Sequence, residues 1–275
     1  MKMIKCKVIY VDGGATSTKI HFCDEFKNII STQSGPRLNL VAFEKETLAN
    51  LLEITEILKP YKDLKIYFGI PGIRIYDLKI IKNIFKSQFV DIHFLTDIEL
   101  QANLLINVEE FNFISLGTGS INLEKKKNSI RLLGGWGHFF GDNGSAFDFG
   151  NTWIRFGIID FENNKLDSKF IKVTQDFFKI KNFEEIKKLY LSPENFKQTI
   201  SEFSVYVLTT LTEFSKEKEL VAKQITAKLA KQLVESNFDA NLPFFVSGGL
   251  LKSREYQKAF LSEFTKISKD ITILN

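Results

Sequence analysis

Three apolar runs in this sequence each stop at a short turn built from glycine, threonine and serine. Residues 7–11 lead into Asp12-Gly13-Gly14-Ala15-Thr16-Ser17-Thr18 and then into a second alternating run, 19–23. Residues 111–116 lead into Gly117-Thr118-Gly119-Ser120 and then into 121–123 and 130–133, and residues 243–246 meet Ser247-Gly248-Gly249. Apolar β-branched runs that end in such turns read as strands. A strand–turn–strand unit that recurs about a hundred residues later predicts two α/β domains of related topology with a cleft between them.

The intervening pattern fits that expectation. Leu48, Leu51, Leu52 and Leu58 recur at helical spacing up to Pro60, residues 64–68 read as a buried strand ending at Gly69, and a helix over 78–85 precedes a strand over 91–95. The first hundred residues thus read ββαβαβα. In the second half helices dominate from Asn151 onward, notably over 193–214 and 217–236, and a helix over 255–266 and a strand over 271–274 follow the third turn. A boundary near Asn107 gives domains of 1–107 and 108–275, the second carrying a helical insertion.

Composition excludes several classes of function. With 44% apolar and 25% charged residues, the 275-residue chain has enough core-forming material to fold without staples. Cys6 and Cys23 form no CxxC pair and have no histidine beside them, which points away from disulfides and zinc and towards a reducing compartment. The first apolar run is broken by Lys5 and Lys7, and no stretch approaches the roughly 20 apolar residues of a membrane helix, so a cytoplasmic protein without membrane contact is expected. The net charge of +4 arises from lysines interspersed with acids, as in 181–188, rather than from a stripe that could follow nucleic acid. The 27 phenylalanines mostly stand beside other apolar residues and read as core.

The turns have the chemistry of a phosphate cradle. Glycine lets backbone N–H groups approach phosphate oxygens, and threonine or serine hydroxyls add donors without bulk. Asp12, leading the first turn, is placed to hold hydrated Mg2+. Each turn alone more simply fits a hairpin turn; three together, in two halves, favour the cradle. Neither a Walker A sequence nor GxGxxG is present.

Taken together, DGGATST, GTGS and SGG resemble the two phosphate motifs and the adenosine-side motif of the acetate kinase, sugar kinase, heat-shock 70 and actin superfamily. The segment Gly134-Gly135-Trp136-Gly137-His138-Phe139-Phe140-Gly141-Asp142-Asn143-Gly144-Ser145-Ala146 resembles the GGWGHxxGDEGSA stretch of N-acetylglucosamine kinases and the related BadF/BadG/BcrA/BcrD-type ATPases. That resemblance implies two ribonuclease H-like (actin-like ATPase) domains, ATP and Mg2+ as cofactors, and phosphorylation of an amino sugar, N-acetylglucosamine to its 6-phosphate or else N-acetylmuramate or glucosamine. A homodimer is compatible with it.

The resemblance further implies residue roles. Asp97 takes the place of the catalytic base and also contacts the sugar; its other reading is helix capping, since Thr96-x-x-Glu99 fits a capping box. ATP is expected at Asp12, Gly13, Gly14, Thr16, Ser17, Thr18, Gly117, Thr118, Gly119, Ser120, Gly248 and Gly249. The sugar is expected at Asn39, Gly135, Trp136, Gly137 and Asp142, with Trp136 as core and Asp142-Asn143-Gly144 as a plain turn the alternatives. His138 reads as structural.

The sequence departs from the family pattern at Ala15, where a glycine is usual, and at Ile121, where sugar kinases often have asparagine, leaving that contact missing or taken by Asn122. It also stops at Asn275, where the family commonly continues with a Gly/Ala-rich helix, which implies looser coupling between domains. Two other functions on the same fold are an activator ATPase, which would need cysteines for an iron–sulfur cluster, and a sugar or nucleotide sensor without catalysis.

Overall fold

The computed structural model describes residues 6–14, 16–85, 88–127, 129–191 and 195–274; Ala15 lies outside them. The chain divides into two compact units, Met1–Asn107 and Val108–Asn275. The first contains β1 (Val8–Asp12), β2 (Thr18–Cys23), β3 (Ile29–Gly35), α1 (Glu44–Leu58), β4 (Lys65–Gly69), α2 (Leu78–Ile84), β5 (Asp91–Leu95) and α3 (Asp97–Leu105). Its sheet runs β3-β2-β1-β4-β5, antiparallel on the β3 side and parallel on the β5 side. Ile9, Val11, Ile20, Ile66 and Phe68 from the sheet bury against Leu51, Ile54 and Leu58 of α1 and Ile81 of α2. This is the 2.0 and 3.6 periodicity of the sequence turned into one core.

The second unit contains β6 (Phe111–Leu116), β7 (Ser120–Lys126), β8 (Ser129–Gly134), α4 (Ala146–Glu162), α5 (Lys169–Phe178), α6 (Phe196–Val205), α7 (Ser215–Glu235), β9 (Phe244–Ser247), α8 (Arg254–Phe264) and β10 (Ile271–Leu274). Its sheet order, β10-β9-β6-β7-β8, is that of the first unit strand for strand, with the same pattern of parallel and antiparallel pairs. The expected fold class, α/β with two domains of related topology, is therefore found. The core of this unit joins Ile114, Leu116 and Val246 to Trp153, Phe203, Ile225 and Phe260 from the helices.

Two elements differ from expectation. Strand β3 was not anticipated because IISTQSG has no apolar alternation: it is an edge strand, exposed over all but its last residue, and its polar side chains blunt the edge. The helix expected over 193–214 is α6 followed by a π-helical turn, Tyr206–Thr210, and its expected start lies outside the described residues. Within that turn the Thr209 hydroxyl donates to the Val205 carbonyl at 2.7 Å, a back-bond that competes with regular helix continuation. Among the described residues no helix is long and apolar enough to cross a membrane.

Candidate active site

In the first unit the parallel ladder aligns the carboxyl ends of three strands. Asp12 is in register with Gly69 of β4, which is in register with Leu95 of β5, and Thr96 and Asp97 follow at once. The Gly13 N–H donates to the Gly69 carbonyl at 2.9 Å, and the Ile70 N–H to the Leu95 carbonyl at 3.0 Å. In open α/β sheets this edge is where ligands bind. Gly69 lets α3 close on the sheet, since a Cβ there would fall 2.6 Å from Leu100 Cβ.

Helix α3 carries a complete capping box. Thr96 Oγ1 accepts from the Glu99 N–H at 3.3 Å, and the Glu99 carboxylate accepts from the Thr96 N–H at 2.7 Å while Arg74 pairs with it at 2.7 Å. Thr96 and Glu99 thus do the capping, and Asp97, the first helical residue, is left exposed. Partial desolvation by the surrounding protein pushes this accessible Asp97 carboxyl above the usual range, against hydrogen bonds from backbone N–H groups that lower it. The same partial desolvation raises Asp12, also accessible, and the Asp97 charge adds to it, with Lys19 opposing. The two carboxylates therefore feel one another at the same edge of the sheet.

Asn39 is tied to the first turn. The Leu38 N–H donates to the Gly14 carbonyl at 3.2 Å, and a Cβ on Gly13 would meet Leu38 Cβ at 2.9 Å. Asn39 Oδ1 accepts from the N–H groups of Val41 and Ala42, which orients the side-chain amide. Thr16 and Ser17 are exposed, whereas Thr18 is buried and donates its hydroxyl to the Pro36 carbonyl at 2.6 Å, which engages it within the fold.

In the second unit the carboxyl ends of β6 and β9 likewise adjoin, Ser115 lying in register with Ser247. Gly248, at φ +149°, passes so close to the preceding turn that a Cβ would fall 1.9 Å from the Leu116 carbonyl oxygen. Gly117 and Gly249 face open space. The segment after β8 then stitches the GTGS turn from the other side. The Gly135 N–H donates to Ser120, the Ala146 N–H to Gly117 at 2.9 Å, the Phe147 N–H to Thr118, and the Ser120 hydroxyl to the Asn143 carbonyl at 2.7 Å.

Asp142, only 3% exposed and at φ +59°, accepts from the Ser120 N–H at 3.2 Å and from Lys197 at 2.9 Å. Its carboxylate braces the turn, and the turn reading of Asp142-Asn143-Gly144 also holds, since the Ser145 N–H donates to the Asp142 carbonyl at 3.1 Å. Trp136 is 75% exposed and is therefore not core; Phe139 and Phe140 beside it are more exposed still. Gly135 needs its positive φ and its lack of a side chain, because a Cβ would meet Ile121 Cδ1 at 2.8 Å, while Gly137 faces open space. His138 lies against Phe139 and Phe147, and burial together with Lys197 lowers its pKa, with Asp142 opposing. Asn122 is buried in β7, its amide without a hydrogen-bond partner among the described residues.

Sequence reasoning missed Lys197 and Arg74. Both are single basic residues in stretches without a motif, and only the fold brings them to Asp142 and Glu99. Cys23 is buried in β2 with its thiol pushed up to about 11 by burial, and burial raises Cys6 as well. Cys23 pairs with Val8 at the end of the β1–β2 ladder opposite the glycine turn, a placement that argues against the iron–sulfur activator.

No family model matches the chain. An N-acetylmuramic acid/N-acetylglucosamine kinase from Clostridium acetobutylicum is 30% identical over 241 residues, covering 82% of this chain and 76% of that protein. The chain belongs to this kinase family. Two solved structures of candidate N-acetylglucosamine kinases share the family fold at low identity. The Chromobacterium violaceum protein superposes with a TM-score of 0.71 at 17% identity, covering 98% of this chain and 95% of its own. The Porphyromonas gingivalis protein gives 0.69 at 16%, covering 97% and 95%.

Proposed function

We propose that this member of the N-acetylmuramic acid/N-acetylglucosamine kinase family transfers the γ-phosphoryl group of Mg-ATP to a hydroxyl of an amino sugar, N-acetylglucosamine or N-acetylmuramate, with Asp97 as base. The 6-hydroxyl of N-acetylglucosamine is the favoured acceptor. The observation that carries this reading is the division of labour at the start of α3. Thr96 and Glu99 cap the helix, and Asp97 presents a carboxyl of raised pKa in line with the first glycine turn.

A raised pKa suits a general base, since proton affinity then lies closer to the working pH. Asp97 accepts the hydroxyl proton as the sugar oxygen attacks the γ-phosphorus, the bond to the β–γ bridging oxygen breaks, and ADP leaves. The glycine turns at Gly13, Gly117 and Gly248 hold the phosphate chain and adenosine side, and Asn39, Gly135, Trp136 and Gly137 hold the sugar. Positioning of this kind supplies most of the rate in phosphoryl transfer.

The donor set fits a magnesium ion. Asp12 is a solvent-accessible carboxylate raised by partial desolvation from the protein around it and by the Asp97 charge, an environment that a cation relieves, and Mg2+ with nucleotide phosphates takes one or two carboxylates while keeping several waters. Asp12 would hold it through water, and the ion would neutralise phosphate charge.

The test is ADP release with Mg-ATP against N-acetylglucosamine, N-acetylmuramate, glucosamine and glucose, in wild type and Asp97→Asn. Sugar-dependent release that disappears in the variant supports the reading and names the substrate. Release indifferent to sugar, or none at all, overturns it in favour of an ATPase or a sensor.

A further inference from the structure

We propose that Lys197, on a helix with no phosphate or sugar motif of its own, is a positioning residue for the second phosphate turn, acting through Asp142. The inference rests on the kinase reading above. Asp142 is almost fully buried, and a carboxylate at that depth needs both a countercharge and hydrogen bonds. Lys197 Nζ supplies the countercharge at 2.9 Å from Oδ2, and the Ser120 N–H reaches Oδ1 at 3.2 Å. Both oxygens also lie 2.9 Å from where a Cβ on Gly119 would stand, so the carboxylate packs directly on the backbone of the turn.

The height of Lys197 is set by rigid packing. Helix α6 lies so close to α4 that a Cβ on Gly150 would fall 2.5 Å from the Ile200 carbonyl oxygen, and the Ser204 hydroxyl donates to the Ala146 carbonyl. Ala146 in turn donates its N–H to the Gly117 carbonyl at 2.9 Å. The turn is thus held at its first residue through α4 and at its last through Lys197 and Asp142. Removing the ammonium leaves a buried carboxylate without a countercharge, which would swing towards solvent and release the Ser120 N–H. Arginine preserves the charge.

This makes a split prediction that a merely structural lysine does not. In steady-state kinetics of the full chain, Lys197→Met raises KM for ATP by about tenfold and changes KM for N-acetylglucosamine by less than about twofold. Lys197→Arg recovers most of the loss. The double variant Lys197→Met/Asp142→Asn, which removes both charges, binds nucleotide better than Lys197→Met alone and keeps the test open where the single variant folds poorly. Mg-ADP affinity by calorimetry gives the same ranking without turnover. A wild type that binds Mg-ADP but phosphorylates no sugar defeats the kinase reading alone, and the affinity ranking then still decides the role of Lys197. A rise in sugar KM with ATP KM unchanged, or an unchanged Mg-ADP affinity in Lys197→Met, overturns the proposal.

Discussion

Asp97 and Asp12 are held in a state the fold does not favour. Desolvation raises both carboxyl groups, and Asp12 also bears the charge of Asp97. A group whose folded-state pKa lies above its unfolded value binds its proton more tightly when folded. Ionising it weakens the fold as pH rises from the unfolded value through the folded one, and the penalty is complete above the latter. Asp97→Asn should therefore melt higher than wild type near pH 8, with the gap closing towards about pH 3.5 in a series of thermal melts. The same variant should lose about 100- to 10,000-fold in turnover if the carboxylate takes the proton. Melting temperatures that respond identically to pH would show that Asp97 titrates normally. At this scale the sequence was informative where a motif marks a residue, as with Thr96-x-x-Glu99, and silent for Lys197, whose partner lies in a loop distant along the chain.

At the scale of elements, the turns depend on close backbone approach. Gly248 leaves no room for a Cβ beside the Leu116 carbonyl, so Gly248→Ala must shift β9 against β6. Urea unfolding should show a loss of about 1–3 kcal/mol, and Mg-ADP binding should weaken with it; full stability would mean the two turns are not in contact. Thr96→Ala removes the N-cap of α3 and should lower stability by about 1 kcal/mol in the same assay. Strands with apolar runs could be read from the sequence because burial on one face dictates their residues. Strand β3 could not, since an exposed edge asks only for residues that resist pairing with another chain, and IISTQSG satisfies that without a pattern. The π turn after α6 was likewise invisible, since the residues 206–210 carry no glycine, proline or capping signal that sets them apart from a continuing helix.

Over the whole molecule, each unit has its own core, one centred on Phe68 with Phe85 and Phe94, the other on Trp153 with Phe203 and Phe170. Phe68→Ala and Phe203→Ala should each lower stability by about 3–5 kcal/mol. Combined, their effects should add within about 0.5 kcal/mol in denaturant titration, because the two side chains share no partner. A large coupling energy would show that the units fold as one. The related topology of the halves was legible because strand, small-residue turn and strand are dictated locally in both; the size of the helical layer in the second was legible only as a stretch where helices dominate.

The matching strand orders, 3-2-1-4-5 in each half, also show where the second half carries its extra length. Among the described residues the crossover between the third and fourth strands holds one α-helix, α1, in the first half and four, α4 to α7, in the second, while both halves open on an antiparallel hairpin with a glycine turn, at residues 13–17 and 117–119. The two halves thus differ chiefly in the length of one connection. The added helices also reach the glycine turn, α4 through the Ala146 N–H on the Gly117 carbonyl and α6 through Lys197 on Asp142, so a change in this one connection is felt at the turn.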